Sequence, residues 1–438
     1  MPRSRSALAT EGLGQRLRAL RLSKNLTQAD LAAPQYTHAY VSTIEAGRRV
    51  PSDSAVAHFA AKLGVEPEEI LTGRSSARVR ELEVEIQRAR ADVSRGAHDA
   101  ARHRLRKVIR EAREYQAPRL EGRAEEVWAL SDERRGDAAA ALKRFDRAVR
   151  LYSDESPVAA ASSVAGKIRT LQILGEEHHA IFVGEHYLDS LERGGLASPS
   201  VRLRVLSPMV LAYLAGGFTS QAGEVAEQCT RLMPRVNDPE ALAIAHINVA
   251  SVQQAEGHYD DASRSLHQAE QLFDALDLQQ ESGVVNLARG VIEVRRGKYD
   301  EGRRSLSRAI DLLEGTGNDV QRMNAELELG RLDRLVGELE RSAERLESAL
   351  GKLPPDGQGR LRAWGHRELG MSLAHLDPGE AEKNFLVAVD LYEQMDEPIE
   401  LARTYAALAD HRLSQGEKES ALEAYRYAGS ALEALPDM

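Results

Sequence analysis

A small residue recurs along this chain at intervals of 39 to 42 residues: Ala101, Ala141, Ala180, Ala222, Ala262, Gly302, Ser342, Ala381 and Ala421. Eight near-equal intervals are not produced by chance, and a period of this length means stacked copies of one supersecondary unit. Such a unit cannot bury its apolar face alone, so each copy must pack on its neighbours. Five residues before each rung stands a glycine (Gly96, Gly136, Gly175, Gly217, Gly257, Gly297, Gly337, Gly416), except where Leu376-Asp377-Pro378-Gly379 supplies a different turn. Seven residues after it stand Val108, Ala148, Tyr187, Cys229, Ala269, Ala309, Ala349, Ala388 and Ala428. Glycine closes one helix, and small residues let a second pack closely on the first. Residues 80–438 are therefore read as about nine helical hairpins.

Composition agrees with an all-α chain. Aromatic residues make up 5% of the 438, and only 15 prolines interrupt them, a balance that favours helices over a β-sandwich or barrel. The longest nearly apolar stretch, Met209 to Phe218, is half of the roughly 20 residues needed to span a membrane. No apolar run follows Arg3 and Arg5, so no secretory signal is expected. A single cysteine, Cys229, excludes an internal disulfide and fits a reducing cytoplasm. Among 58 basic residues arginine far outnumbers lysine, the mark of a GC-rich bacterial genome. Charge is unevenly placed: residues 1–50 hold eight bases against three acids, while the whole chain carries −10. The head suits a polyanion and the body does not.

Residues 11–73 read as five short helices, with a flexible arm at 1–10 and a linker at 74–79. Leu13, Leu17 and Leu20 give the first an apolar face, with Arg16, Arg18 and Arg21 on its surface. Thr27 caps a second that ends near Pro34, and Thr37 caps a third running to Ala46, with Gly47 as its stop. Ser52 and Asp53 start a fourth that carries Val56, Phe59, Ala60 and Leu63 inward. Glu66-Pro67-Glu68 starts a fifth that buries Ile70 and Leu71.

The strings Leu26-Thr27-Gln28-Ala29-Asp30-Leu31-Ala32 and Tyr40-Val41-Ser42-Thr43-Ile44-Glu45-Ala46-Gly47-Arg48-Arg49-Val50-Pro51-Ser52 resemble the lambda/Cro-repressor type of helix-turn-helix, the XRE family. Here Pro34-Gln35-Tyr36 replaces the slightly longer, glycine-containing turn usual in that family. The resemblance implies DNA binding. By it, Gln28 and Ser42 contact DNA backbone or base edges, and Thr37, His38 and Ala39 enter the major groove. Tyr40 and Thr43 lie one turn on, with packing as an equal alternative for Tyr40. Arg48 and Arg49 meet a flanking phosphate. Val41 and Ile44 belong to the core, and Glu45 orients an arginine.

The body resembles the tetratricopeptide repeat, most plainly in Gly257-His258-Tyr259-Asp260-Asp261-Ala262 and Gly297-Lys298-Tyr299-Asp300-Glu301-Gly302. Its period exceeds the about 34 residues of that repeat, which implies longer helices or longer loops. The resemblance implies a superhelix whose first helices line a groove. Arg169, Arg204, Asn248, Gln254, Asn324 and Arg331 are the candidate ligand contacts there, with solvation or bridging between repeats as the alternative for each.

No phosphate-binding loop, dinucleotide fingerprint or His-Glu-x-x-His occurs, so no catalytic residue, cofactor or metal site is expected. His178, His179 and His186 lack metal-ligand spacing, and Cys229 falls at a packing position. The domain order resembles actinobacterial regulators with tetratricopeptide tails and the peptide-sensing Rgg/PlcR type. It implies a cytoplasmic transcription regulator, a homodimer on an inverted-repeat operator, sensing a peptide or small-molecule effector. The rival reading is a scaffold whose array docks a partner protein.

Overall fold

The computed structural model describes residues 12–73, 76–153, 157–354 and 358–433. Among them there are 23 α-helices, two short 3-10 turns and no strand. They form two compact units, the first made of residues up to Val93 with Ala97–Leu174, the second of Ser94–Gly96 with the chain from Gly175. The expected arm at 1–10 lies outside the described residues.

The head contains α1 (Leu13–Ser23), α2 (Gln28–Ala32), α3 (His38–Glu45), α4 (Asp53–Leu63) and α5 (Pro67–Thr72). Each begins and ends where local chemistry directs. Thr27 and Asp30 form a reciprocal capping box on α2, Thr37 caps α3, and Ser52 caps α4, which satisfies backbone N–H groups that a helix start leaves orphaned. Gly47 takes φ 70°, Gly47 N–H donates to Ile44 O and Arg48 N–H to Thr43 O, the paired closure of a left-handed helix stop. Leu13, Leu17, Leu31, Val41, Ile44, Phe59, Leu63 and Ile70 fill one core. Leu71, expected inside, is only half-buried because it sits on the outer edge of α5.

The array begins at Ser76, within the stretch read as a linker. Its first hairpins are α6 (Ser76–Ser94) with α7 (His98–Glu114) and α8 (Pro118–Arg134) with α9 (Ala138–Ser153); α10 (Ala161–Ile173), in the first unit, and α11 (Glu177–Arg193), in the second, follow in the chain. The next three are α12 (Pro199–Ala215) with α13 (Thr219–Leu232), α14 (Pro239–Ala255) with α15 (Tyr259–Ala275), and α16 (Gln279–Arg295) with α17 (Tyr299–Leu313). The last are α18 (Asp319–Leu335) with α19 (Leu339–Lys352), α20 (Gly359–Leu373) with α21 (Pro378–Gln394), and α22 (Pro398–Ser414) with α23 (Lys418–Glu433). Most first helices run 17 residues, so the long period comes from helix length.

All eight turn glycines have φ between 73° and 87°, a region closed to most side chains. At the exceptional turn, Asp377 accepts from Glu380 N–H at 3.1 Å and Pro378 opens α21. Every rung residue is buried. A second small-residue position lies seven residues before the turn: Gly290, Gly330 and Gly370, forty apart, face Leu306, Leu346 and Phe385 of their own second helices. A Cβ there would stand 2.6, 2.8 and 3.0 Å from those side chains.

Ion pairs repeat with the same register. Arg104, Arg144 and Arg345, three residues past their rungs, reach Asp92, Asp132 and Asp333 at 2.9, 2.9 and 3.1 Å. They also reach Glu85, Glu125 and Glu326 at 2.8, 2.7 and 2.5 Å. Across neighbouring hairpins, Arg102 pairs with Asp132 at 2.5 Å and Arg303 with Asp333 at 2.6 Å, each over thirty residues. In the final joint the polarity is reversed, with Arg412 reaching back to Glu382 at 2.6 Å.

Candidate nucleic-acid interface

The head places α3 by two devices. Gly14 brings the α1 backbone against the end of α3. An added Cβ would fall inside the van der Waals shells of the Ile44 and Glu45 carbonyl oxygens, 2.9 Å from the latter. The second device is a buried ion pair. Arg21 donates from Nε to Glu45 Oε1 at 2.7 Å and from Nη2 to Oε2 at 3.0 Å, and Nη1 donates to Leu26 O at 2.8 Å. Gln28 Nε2 adds a third donor to Glu45, at 3.0 Å. Burial would raise the Glu45 carboxyl, but the hydrogen bonds from Arg21 and Gln28 and the arginine charge hold it below the ordinary carboxylate range. The same pairing raises Arg21. Three helices are thereby tied at one carboxylate, in the two-oxygen geometry that makes Arg–carboxylate pairs strong.

This corrects the expectation that Arg16 and Arg21 lie on the surface. Arg21 is 8% exposed, and Arg16 donates to the Ile70 and Leu71 carbonyls at the end of α5, where a cation also offsets the helix dipole. Glu45 orients an arginine, as read, and that arginine is Arg21.

Thr37 is exposed at the cap of α3 and His38, Ala39 and Ser42 are exposed on it, with Arg48 and Arg49 exposed just beyond it. Thr43 is half-buried and donates Oγ1 to Tyr40 O at 2.8 Å. Gln28 is half-buried with its amide nitrogen committed to Glu45. Tyr40 is half-buried, stacked on Tyr36. His38, Gln28 and Thr27 meet Arg21, Leu22, Asn25, Leu26 and Ala29 around one open cleft at the starts of α2 and α3. The side chains read as groove-facing are thus exposed or, for Gln28, Tyr40 and Thr43, half-buried.

The six ligand candidates of the array behave differently. Arg169 holds Glu133 at 3.2 Å, Arg204 pairs with Asp238, and Asn248 donates to Ser207 O and Oγ at 2.9 Å. Arg331 approaches Glu328 at 3.4 Å. These four reach neighbouring helices or their own. Burial, and the nearby Glu368 carboxylate, push the Glu328 carboxyl up, against the pull of Arg331. Gln254 and Asn324 are half-buried.

Residues 12–72 match the family model described as a helix-turn-helix domain. The head is a helix-turn-helix domain. Among curated protein sequences none matches this chain. Among solved structures, the apo quorum sensor NprR from B. thuringiensis superposes with a TM-score of 0.55 at 13% identity, over 81% of this chain and 99% of that one. The Pyrococcus horikoshii protein PH0952, a signal-transduction ATPase with a tetratricopeptide repeat sensor, gives 0.55 at 14% identity, over 77% of this chain and 52% of that one. The apo form of RapI gives 0.54 at 11% identity, over 80% and 97%. At such identities the likeness is one of fold, and it makes the body of this chain a tetratricopeptide-like helical array. Among the described residues no helix is long and apolar enough to cross a membrane, and no group of three His, Cys, Asp or Glu is disposed to hold a metal.

Proposed function

We propose that this chain is a sequence-specific DNA-binding transcription regulator, acting in the cytoplasm, whose repeat array senses a peptide or small-molecule effector or joins two copies. The observation that carries the reading is the exposed face of α3, with Thr37, His38, Ala39 and Ser42 on a helix pinned by the Arg21–Glu45–Gln28 contacts. Polar side chains in the first turn of a rigid helix read base edges in the major groove, and exposed Arg48 and Arg49 supply phosphate contacts. One head of this size buries roughly 600–1,000 Å² on DNA, so tight binding calls for two copies on an inverted repeat with half-sites about one helical turn apart. NprR is a quorum sensor and PH0952 carries a repeat sensor, which supports sensing as the role of the array.

The test is selection of genomic fragments by the purified protein at about 0.15 M salt, beside a variant carrying His38→Ala and Ser42→Ala. A palindromic motif enriched by the wild type alone supports the reading. Equal fragment pools from both proteins overturn it and favour a protein-docking scaffold.

A further inference from the structure

Arg49 is exposed, yet its guanidinium carbon stands 4.7 Å from the centre of the Tyr40 ring. That ring is stacked on Tyr36, with 5.1 Å between centroids and planes 16° apart. Tyr36 lies edge-on to His58 at 5.2 Å and tilted on the fully buried Phe59 at 5.6 Å. A series of aromatic contacts thus runs from the core of the head to one surface cation. Among the described residues no ring lies under the guanidinium of Arg48, its neighbour in the chain. Guanidinium groups favour aromatic faces and keep their N–H edges free for a second partner.

We infer that Tyr40 is a positioning residue, which holds the Arg49 guanidinium where it meets a flanking phosphate and does not itself touch a base. The inference rests on the DNA-binding reading above. Holding the cation in advance spares it the ordering cost on binding, so the ring contributes to affinity without contributing to sequence choice.

The experiment uses the full-length protein and its selected operator, with affinity measured from 50 to 200 mM salt, the range over which phosphate contacts are resolved. Arg49→Ala is expected to flatten the salt dependence by about one phosphate contact. Tyr40→Phe and Tyr40→Trp keep a ring face and bind as the wild type does. Tyr40→Leu weakens binding about threefold, flattens the salt dependence, and adds nothing in an Arg49→Ala background. Additive losses, an unchanged salt dependence in Tyr40→Leu, or a changed base preference in any Tyr40 variant overturns the inference. Thermal unfolding identical to the wild type's is required of each variant, and Tyr40→Met, which also lacks a ring, carries the test with the same expected loss if Tyr40→Leu unfolds. Wild-type protein that selects no DNA overturns the parent reading as well, an outcome distinct from selective binding that Tyr40 variants leave unmoved.

Discussion

Gly14 of α1 lies directly against the Ile44 carbonyl of α3, with no room between the two backbones for a Cβ. The obstacle is main chain on both sides, so no rotamer change relieves it. Gly14→Ala gains about 1 kcal/mol of helix propensity but forces the helices apart, at a cost at the upper end of the ~1–3 kcal/mol typical of overpacking. Net destabilisation of the head is expected, read as faster amide exchange in α1 and α3 with the array unaffected. Protection equal to the wild type's would refute the close approach.

Glu45 concentrates three donors on one carboxylate. Glu45→Ala leaves Arg21 buried with only the Leu26 carbonyl, and a loss of about 3 kcal/mol is expected for a broken buried pair. Because the folded carboxyl titrates below its unfolded value, near 4.3, its contribution is complete above that value and disappears as pH falls through the depressed one. The stability gap between wild type and Glu45→Ala should therefore be constant from pH 6 to 8 and close in acid, as followed by pH-dependent denaturant titration. A gap that widens on acidification contradicts the arrangement.

His38 is exposed in the first turn of α3. His38→Ala should change preference at one base pair of each half-site, by about 1–3 kcal/mol, while Arg48→Ala weakens binding to every sequence alike. Binding-site selection with both variants checks this, and uniform losses from His38→Ala would remove it from base readout.

Arg412 and Glu382 invert the polarity used by Arg303 and Asp333. Glu382→Arg alone opposes two arginines and should lower stability, whereas Glu382→Arg with Arg412→Glu restores an attractive pair in the orientation found elsewhere. The pair is partly exposed, so a coupling of about 1 kcal/mol is expected from a double-mutant cycle. Purely additive effects would show that the two side chains do not interact in solution.

Cys229 is fully buried on α13, and burial pushes its thiol up to about 12. Reaction needs the exposed thiolate, so alkylation at neutral pH should proceed only as fast as α13 opens. Labelling within seconds in native protein would contradict that burial.

The hairpin array was legible because all but one of its turns use a residue with positive φ, and glycine marks that need in the sequence itself. The forty-residue series Gly290, Gly330 and Gly370 was equally legible but hidden, since one small residue in a helix looks like any other until its facing side chain is known. Arg21 was misplaced for a different reason. An arginine beside leucines reads as solvated, and only a carboxylate brought from 24 residues away makes its burial affordable. For Arg169 and Asn248 the difficulty is the repeat: stacking places an equivalent helix about forty residues away, so a polar side chain with a free outlook on its own helix finds a partner on the preceding one.

About thirty residues separate the two sides of a hairpin joint, yet no single chemistry serves the joints. Arg102 faces Asp132, Ser263 faces Glu293, Arg303 faces Asp333, and Glu382 faces Arg412. At the corresponding places elsewhere stand Leu142 and Leu171, or Ala343 and Leu373. Units this alike invite mispairing, in which one hairpin docks on the wrong neighbour while the chain folds. Moving α22 onto α17 would set Arg412 against Arg303, and moving α18 onto α21 would set Asp333 against Glu382. The charged joints thus act as an address system that penalises such mispairings in a nearly periodic chain.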